Sequence, residues 1–144
     1  MSTSAADRLV RRLFYGALVS GVVVFLGLTV DAALLVGNFR LGQAALDQAA
    51  LAAAGAVDTV TSGDQVYYEL RTLASADQVS AYSLAESALA AAGGLPVTLL
   101  DVISDGQRVF VRGRVESPTL FVRVLGISAI PFDLVGSAAL GPPR

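Results

Sequence analysis

One uninterrupted apolar run decides what this chain can fold into. Residues 13–30 read LFYGALVSGVVVFLGLTV, eighteen consecutive residues without a charge. As a helix rising ~1.5 Å per residue, they would extend about 27 Å, close to the ~30 Å hydrocarbon thickness of a bilayer. Beyond Asp31, no further charge occurs before Arg40. We therefore predict a single transmembrane anchor over residues 13–37.

The charges in front of this run predict how the anchor is oriented. Arg8, Arg11 and Arg12 lie immediately before it, and Arg-rich flanks stay in the cytoplasm. Residues 1–12 are thus expected to be a basic cytoplasmic N-terminus, with the remainder of the chain extracytoplasmic. The main alternative is a cleaved signal peptide, whose apolar region would span only ~7–15 residues. Val30-Asp31-Ala32 is also a poor cleavage site, so we expect the anchor to remain uncleaved.

The composition excludes most kinds of catalytic and cofactor site. The chain has no Cys and no His, and all ten basic residues are Arg, against twelve acidic residues. Zinc sites, His-based acid–base catalysis and Schiff-base chemistry therefore lack their residues, and a serine nucleophile would lack a base. The sequence pI of about 4.9 argues against a nucleic-acid partner. We predict a protein that is not an enzyme and has no catalytic residues, metal or cofactor.

Small residues four positions apart are candidate helix–helix contacts within the anchor. Such pairs let two helices approach closely in a bilayer. The pairs are Gly16 with Ser20, Ala17 with Gly21, and Ala33 with Gly37. The expected partners are membrane lipid, subunits of a larger assembly and, in addition, a second copy of this chain.

Asp31 is the one acidic residue within the predicted anchor, and two interpretations remain open. If the span is residues 13–30, Asp31 lies solvated at the outer interface. If the span is centred later, Asp31 is an intramembrane carboxylate that needs a partner, and such acids are usually functional. That partner would come from another subunit, because this chain offers no base at the same depth.

An Ala-rich helical stem is predicted over residues 38–55. Ala is the strongest helix former, no Pro interrupts the segment, and Gly55 supplies a stop. Gln43 and Asp47 share one helical face and are further candidate contact residues. A stem this rich in Ala buries little apolar area alone, so it must pack against its own domain or against neighbouring subunits. The second arrangement is our hypothesis for the anchor and stem together.

Residues 56–144 predict a small α+β domain in which helices cover one face of a three-stranded antiparallel sheet. Ser62 with Gln65, and Ser75 with Gln78, resemble capping boxes that open two helices, the second ending at Gly93-Gly94. A third short helix is expected to begin at Ser117-Pro118. Its apolar side would consist of Leu120, Phe121, Val124 and Leu125.

Three segments alternate like strands: residues 97–104, 107–116 and 130–140. Asp105-Gly106 between the first two predicts a two-residue hairpin turn of type I′. In that register the core side chains are Val109, Val111 and Val115, together with Leu100 and Val102. An arginine stripe falls on the opposite face beside Asp101 and consists of Arg108, Arg112 and Arg114.

The order of motifs resembles the TadE/TadG-like family of tight-adherence (Flp) pilus assembly proteins. The resemblance rests on a single N-terminal anchor followed by Val30-Asp31, Arg40, residues 43–45, Asp47 and the Ala run of residues 49–54. The chain end, with Ser117-Pro118 and an Ala-rich last strand, is similar too. A pilin-type processing site, Gly followed five residues later by Glu, is missing because the first Glu is Glu69.

This resemblance implies a minor pilin-like structural or assembly component of a Tad/Flp pilus or related secretion apparatus. It also implies a single-pass protein of the bacterial inner membrane, with other pilus subunits as partners. The alternative, which the residues alone permit, is a general anchored extracytoplasmic binding domain unrelated to pili.

Overall fold

A computed structural model describes residues 5–63, 65–71 and 79–140. Along the chain, helix α1 is followed by a two-stranded hairpin, helix α2 and a three-stranded sheet. The elements are α1 (Ala5–Ala53), β1 (Val57–Ser62), β2 (Gln65–Leu70), α2 (Ala81–Ala92), β3 (Val97–Ser104), β4 (Arg108–Pro118), a 3₁₀ helix (Val122–Leu125) and β5 (Ala129–Ala139). The architecture is α+β, as the sequence predicts.

Helix α1 joins the predicted anchor and stem into one unbroken element of 49 residues. No Pro interrupts it, and its second half is dominated by Ala, so nothing in the local sequence favours a break. The helix ends at Ala53, and Gly55 donates its N–H to the Ala52 carbonyl at 3.0 Å. Its apolar first half is almost entirely exposed and is long and apolar enough to span a membrane.

The C-terminal half of α1 packs on the three-stranded sheet and forms the core of the domain. Strand order is β3-β4-β5, both pairs are antiparallel, and α2 packs against α1 and β3. The buried side chains come from α1, α2, β4 and β5, whereas β3 contributes only partly buried ones. They are Leu46, Ala49, Ala50, Ala53, Ala81, Ala85, Val109, Val111, Val115 and Leu134. The Ala face of the stem is therefore covered by the chain's own domain, and our hypothesis that this face contacts other subunits is wrong.

The helix expected to open at Ser62 and Gln65 is a β-hairpin instead. β1 and β2 are antiparallel, with Ser62 opposite Gln65 across a tight turn in which Gly63 has φ +64°. Val, Thr and Tyr dominate both flanks of that turn, and β-branched and aromatic residues favour strands over helix. The capping-box pattern was misleading here. The second proposed capping box, Ser75 with Gln78, lies outside the described residues.

Helix α2 is present but begins at Ala81, where the Ser80 side chain accepts the Ser83 N–H at 3.2 Å as an N-cap. It ends at Ala92, with Gly93 following at φ +61°. The glycine pair thus ends the helix as the sequence predicts.

The β3–β4 turn lies one residue later than predicted. Asp105 donates its N–H to the Arg108 carbonyl at 3.2 Å, which makes Gly106 and Gln107 the two turn residues. Gly106 has φ +86°, and among the described residues no non-Gly residue has positive φ. Positive φ at the first turn residue alone is typical of type II′, not type I′.

A register irregularity between Leu99 and Asp101 removes Leu100 from the predicted core. Leu100 is 42% exposed, and Leu99 packs against the core in its place. The arginine stripe is exposed as expected, and Arg112 lies opposite Asp101. The ion pair on this face, however, is Arg114 with Asp133 of β5, with Nε and Oδ1 2.7 Å apart.

Ser117-Pro118 does not open a helix. Strand β4 continues through Pro118, which lies opposite Ala129 of β5. The helical turn that follows is a short 3₁₀ segment, closed by Gly126 in the left-handed conformation. Its expected apolar side is exposed at Leu120, Val124 and Leu125 and is not part of the core.

Candidate functional site

The Asp31 carboxylate binds the backbone of the loop formed by residues 119–127. Its Oδ1 accepts the Leu120 N–H at 2.7 Å, and its Oδ2 accepts the Val122 N–H at 2.7 Å. The Phe121 N–H lies between the two oxygens, at 3.2 and 3.0 Å. Asp31 is only 8% exposed. The carboxylate therefore caps the start of the 3₁₀ helix, where three N–H groups have no acceptor within that helix.

This arrangement replaces both expectations for Asp31. The side chain is neither solvated nor dependent on a base from another subunit. Its partners are three backbone N–H groups of the same chain, which concentrate partial positive charge at one point, much as a helix N-terminus does. A buried carboxylate is thereby accommodated without a counter-ion.

The loop itself is fixed by local hydrogen bonds and by close packing on α1. Thr119 donates its N–H to the Ser128 carbonyl at 3.1 Å and its hydroxyl to the Ile127 carbonyl. The Phe121 ring lies directly over Gly27, so close that a Cβ at position 27 would overlap the ring. Gly27 thus lets the loop approach the helix one turn before Asp31.

Further along α1, polar side chains hydrogen-bond to the strands. Asn38 donates to the Ser117 hydroxyl at 2.8 Å. Gln43 donates to the Val135 carbonyl at 2.9 Å, and the Asp47 carboxylate accepts the Ser137 N–H at 3.3 Å. β5 is an edge strand with β4 on one side only. Gln43 and Asp47 therefore satisfy backbone groups of a strand whose edge is otherwise open to pairing.

Gln43 and Asp47 also contact each other, with Nε2 and Oδ1 3.1 Å apart. This i, i+4 pair orients both side chains toward β5. Together with Asp31 and Asn38 they form what we call the α1 polar seam, defined by residues 31, 38, 43 and 47. The α1 polar seam fixes the rotation of the helix on the sheet, because each member must meet its own backbone or hydroxyl partner.

The remaining candidate contact residues are not covered by the domain. Gly16, Ala17, Ser20, Gly21, Ala33 and Gly37 are all exposed. A Cβ at position 16, 21 or 37 would have no neighbour within 4 Å. Their role as helix–helix contacts stays a prediction. Asp31, Gln43 and Asp47, by contrast, are engaged within the chain.

Sequence reasoning missed three residues of this site. Asn38 lies within the uncharged run, but its position seven residues after Asp31 places it on the same helix face and could have identified it. Gly136 of β5 lies against the Leu46 backbone of α1, between the two β5 residues that Gln43 and Asp47 bind. Gly27 and Gly136 carry no sequence signal of their own, because what distinguishes them is close approach to a distant element.

Two ion pairs stabilise the sheet surfaces. The Arg71 guanidinium beside Asp58 lowers the pKa of that carboxyl, and Arg114 does the same to the pKa of Asp133. Backbone N–H groups of Gln107 and Arg108 lower the pKa of Asp105 in the β3–β4 turn. Each of these carboxylates is held charged by a structural partner. Within the described residues, no cluster of three or more acidic side chains could hold a metal ion.

No family model matches the chain, and neither the curated proteins nor the solved structures compared with it include a significant match.

Proposed function

We propose that this chain is a membrane-anchored structural or assembly component, minor pilin-like, of a Tad/Flp pilus or a related secretion apparatus. In this proposal the predicted anchor, residues 13–37, crosses the bacterial inner membrane once. Because Asp31 binds the loop of the domain, the membrane-spanning part is residues 13–30. The N-terminus is cytoplasmic, and the α+β domain is extracytoplasmic. The chain acts through contacts with lipid and with other subunits, not through catalysis.

The α1 polar seam is the observation that carries the proposal. Asp31, Gln43 and Asp47 belong to the motif on which the resemblance to TadE/TadG-like proteins rests. Each of these side chains joins the long helix to the domain through hydrogen bonds to backbone groups about 90 residues away in sequence. Three polar positions of the resembling motif therefore hold the domain on the long helix, which is expected of a motif that maintains an architecture.

The exposed face of the apolar segment is where we expect other subunits to bind. The stem is covered by its own sheet, so its Ala face is not available. Residues 13–30 have no such cover over most of their length, and Ala17 and Gly21 leave space for a second helix. Close helix packing in the bilayer would attach the domain to a larger assembly.

Cysteine labelling tests the topology, because the chain has no Cys of its own. Asp7→Cys and Ile103→Cys place one thiol on either side of the proposed span. In intact spheroplasts, a membrane-impermeant maleimide should label the Ile103→Cys variant directly, and the Asp7→Cys variant only after lysis. The opposite pattern, or equal labelling of both variants, contradicts the topology.

Deletion of the gene in its host tests the function. Surface filaments should be lost, and wild-type protein expressed from a plasmid should restore them. Ala17→Leu with Gly21→Leu should fail to restore them, whereas Val22→Leu, a matched bulky change in the same helix, should succeed. Unchanged filaments after deletion would reject the pilus role and favour the general anchored binding domain.

A further inference from the structure

The 119–127 loop presents exposed apolar side chains that the domain does not use. Leu120 is 64% exposed, Val124 83% and Leu125 76%. Leu120 precedes the 3₁₀ helix, and Val124 and Leu125 lie at its end, outside the core. Large apolar side chains exposed together in this way mark an interaction surface.

The position of the loop along α1 indicates what covers this surface. The loop is attached to the helix at Gly27 and Asp31. On α1, exposed apolar side chains occur on both sides of that level, Phe25 and Leu26 before it and Val36 after it. The loop therefore adjoins an apolar helix surface that is continuous with the proposed span.

The distance of the loop from the start of the proposed span also places it near the membrane surface. Leu13 follows the last Arg of the basic cluster, and Asp31 lies about 27 Å beyond it at a rise of ~1.5 Å per residue. The hydrocarbon region is ~30 Å thick. The loop is therefore held at the outer boundary between acyl chains and headgroups. Arg123, exposed within the same loop, is placed to reach lipid phosphates, as interfacial Arg side chains do.

Most backbone N–H groups of the loop already have acceptors within the chain, which favours a location close to the hydrocarbon region. Irregular backbone does not lie exposed to lipid within the hydrocarbon region, so the polar backbone groups of a loop at this boundary must be bound by protein or by the headgroup layer. The N–H groups of residues 120–122 bind Asp31, and that of Thr119 binds Ser128. Those of Val124 and Gly126 bind the Phe121 and Arg123 carbonyls, at 3.1 and 2.9 Å.

We propose that the 119–127 loop is a second membrane contact, inserted into the outer leaflet with Leu120, Val124 and Leu125 among the acyl chains. The occupant of this surface is lipid. The inference rests on the membrane anchoring proposed above, but it does not depend on the pilus role. The chain would then contact the bilayer twice, through the apolar segment of α1 and through the 119–127 loop. Asp31 connects these two contacts.

Fluorescence with depth-dependent quenching tests this proposal on the full chain in liposomes. Single Cys variants Val124→Cys, Ile103→Cys and Val22→Cys carry an environment-sensitive dye, and the lipids carry a nitroxide on the acyl chain. The Val124 probe should emit at shorter wavelength than the Ile103 probe and be quenched by the nitroxide lipid. Ile103 is the matched control, an exposed β-branched residue on the domain.

The Val22 probe separates failure of this inference from failure of the anchor. If the nitroxide quenches the Val22 probe but not the Val124 probe, the chain spans the bilayer and the loop proposal is overturned. If neither probe is quenched, the anchoring itself fails and the loop proposal fails with it. A Val124 probe that is shifted to shorter wavelength but not quenched by lipid would show that protein covers the loop, which also overturns the proposal.

Discussion

Leu46 of α1 lies directly over Gly136 of β5, so close that a Cβ on Gly136 would overlap the Leu46 backbone carbonyl. Leu46 itself is fully buried, and its side chain lies beside Gly113 of the neighbouring strand β4. The helix rests on the sheet at a point where both strands lack side chains. This contact sets the distance between the stem and the sheet.

Replacing Gly136 should therefore force the helix away from β5. We expect Gly136→Ala to lower the free energy of unfolding by about 1–3 kcal/mol, the usual cost of overpacking a dense core. Thermal unfolding of the full chain in detergent, followed by circular dichroism, measures it. Gly37→Ala is the matched control, because a Cβ there meets nothing within 4 Å. Equal midpoints for the two variants would contradict the close contact.

The large side chain of Leu46 should contribute more than any of the Ala residues around it. Leu46→Ala is expected to cost about 2–5 kcal/mol, because it removes buried methyl groups and leaves a cavity. Leu51→Ala, five residues later on the same helix but 69% exposed, should change stability by less than about 0.5 kcal/mol. Urea unfolding in detergent compares the two. A similar loss for both variants would indicate that the stem does not pack as described.

Removing the Asp31 carboxylate should release the loop from the helix. In Asp31→Ala the N–H groups of Leu120, Phe121 and Val122 lose their acceptor, so these amides should exchange with deuterium faster. Hydrogen–deuterium exchange with mass spectrometry measures this rate on peptides that contain residues 120–122. Asp7→Ala, at the other end of the apolar segment, should leave the exchange unchanged. Unaltered protection in the Asp31 variant would count against the hydrogen bonds.

The β3–β4 turn requires a left-handed residue at position 106. Gly106→Val should destabilise the domain by about 1–2 kcal/mol, because a β-branched residue resists φ near +86°. Gln107→Val, the neighbouring turn residue with negative φ, is the control and should cost less. The thermal unfolding midpoints of the two full-length variants test this prediction. A lower midpoint for Gln107→Val than for Gly106→Val would contradict the turn geometry.

Acid should weaken the contact between Arg114 and Asp133. Arg114 lowers the pKa of Asp133, so the folded state binds that proton less readily than the unfolded chain does. The stabilisation is complete above the ordinary Asp pKa of ~3.9 and is lost as pH falls through the lowered folded-state value. Wild type should therefore exceed Asp133→Asn in thermal midpoint at pH ~6 but converge with it in strong acid. A constant difference across that range would exclude the linkage.

Local sequence signals predicted the elements whose partners are close in sequence. The apolar span, the Ala-rich continuation of α1, the end of α2 at Gly93 and the strands of the three-stranded sheet all follow from propensity and periodicity. The β1–β2 hairpin was missed because Val66 and Leu70 also fit a helical stripe. There, the preference of Val, Thr and Tyr for extended backbone outweighs the spacing.

The site could be predicted only in part, because its chemistry depends on backbone groups. Asp31 was recognised as unusual, yet its partners are N–H groups about 90 residues away, which any loop sequence can supply. The same holds for Gln43 and Asp47 at the edge of β5. A side chain that binds another side chain requires a partner of complementary residue type, which the sequence shows. A side chain that binds backbone can have almost any residue as its partner, so the sequence does not show it.

The unbroken course of α1 makes the domain and the apolar segment mechanically one body. From Asp31 to Ala53 the helix extends about 33 Å with no linker to absorb a bend. If residues 13–30 span a bilayer as proposed, a change of ~10° in the tilt of the helix would displace its far end, and the sheet fixed to it, by about 6 Å. In that arrangement, force applied to the sheet would be transmitted along the helix to the bilayer as torque, and a neighbouring helix that reorients α1 would also turn the sheet.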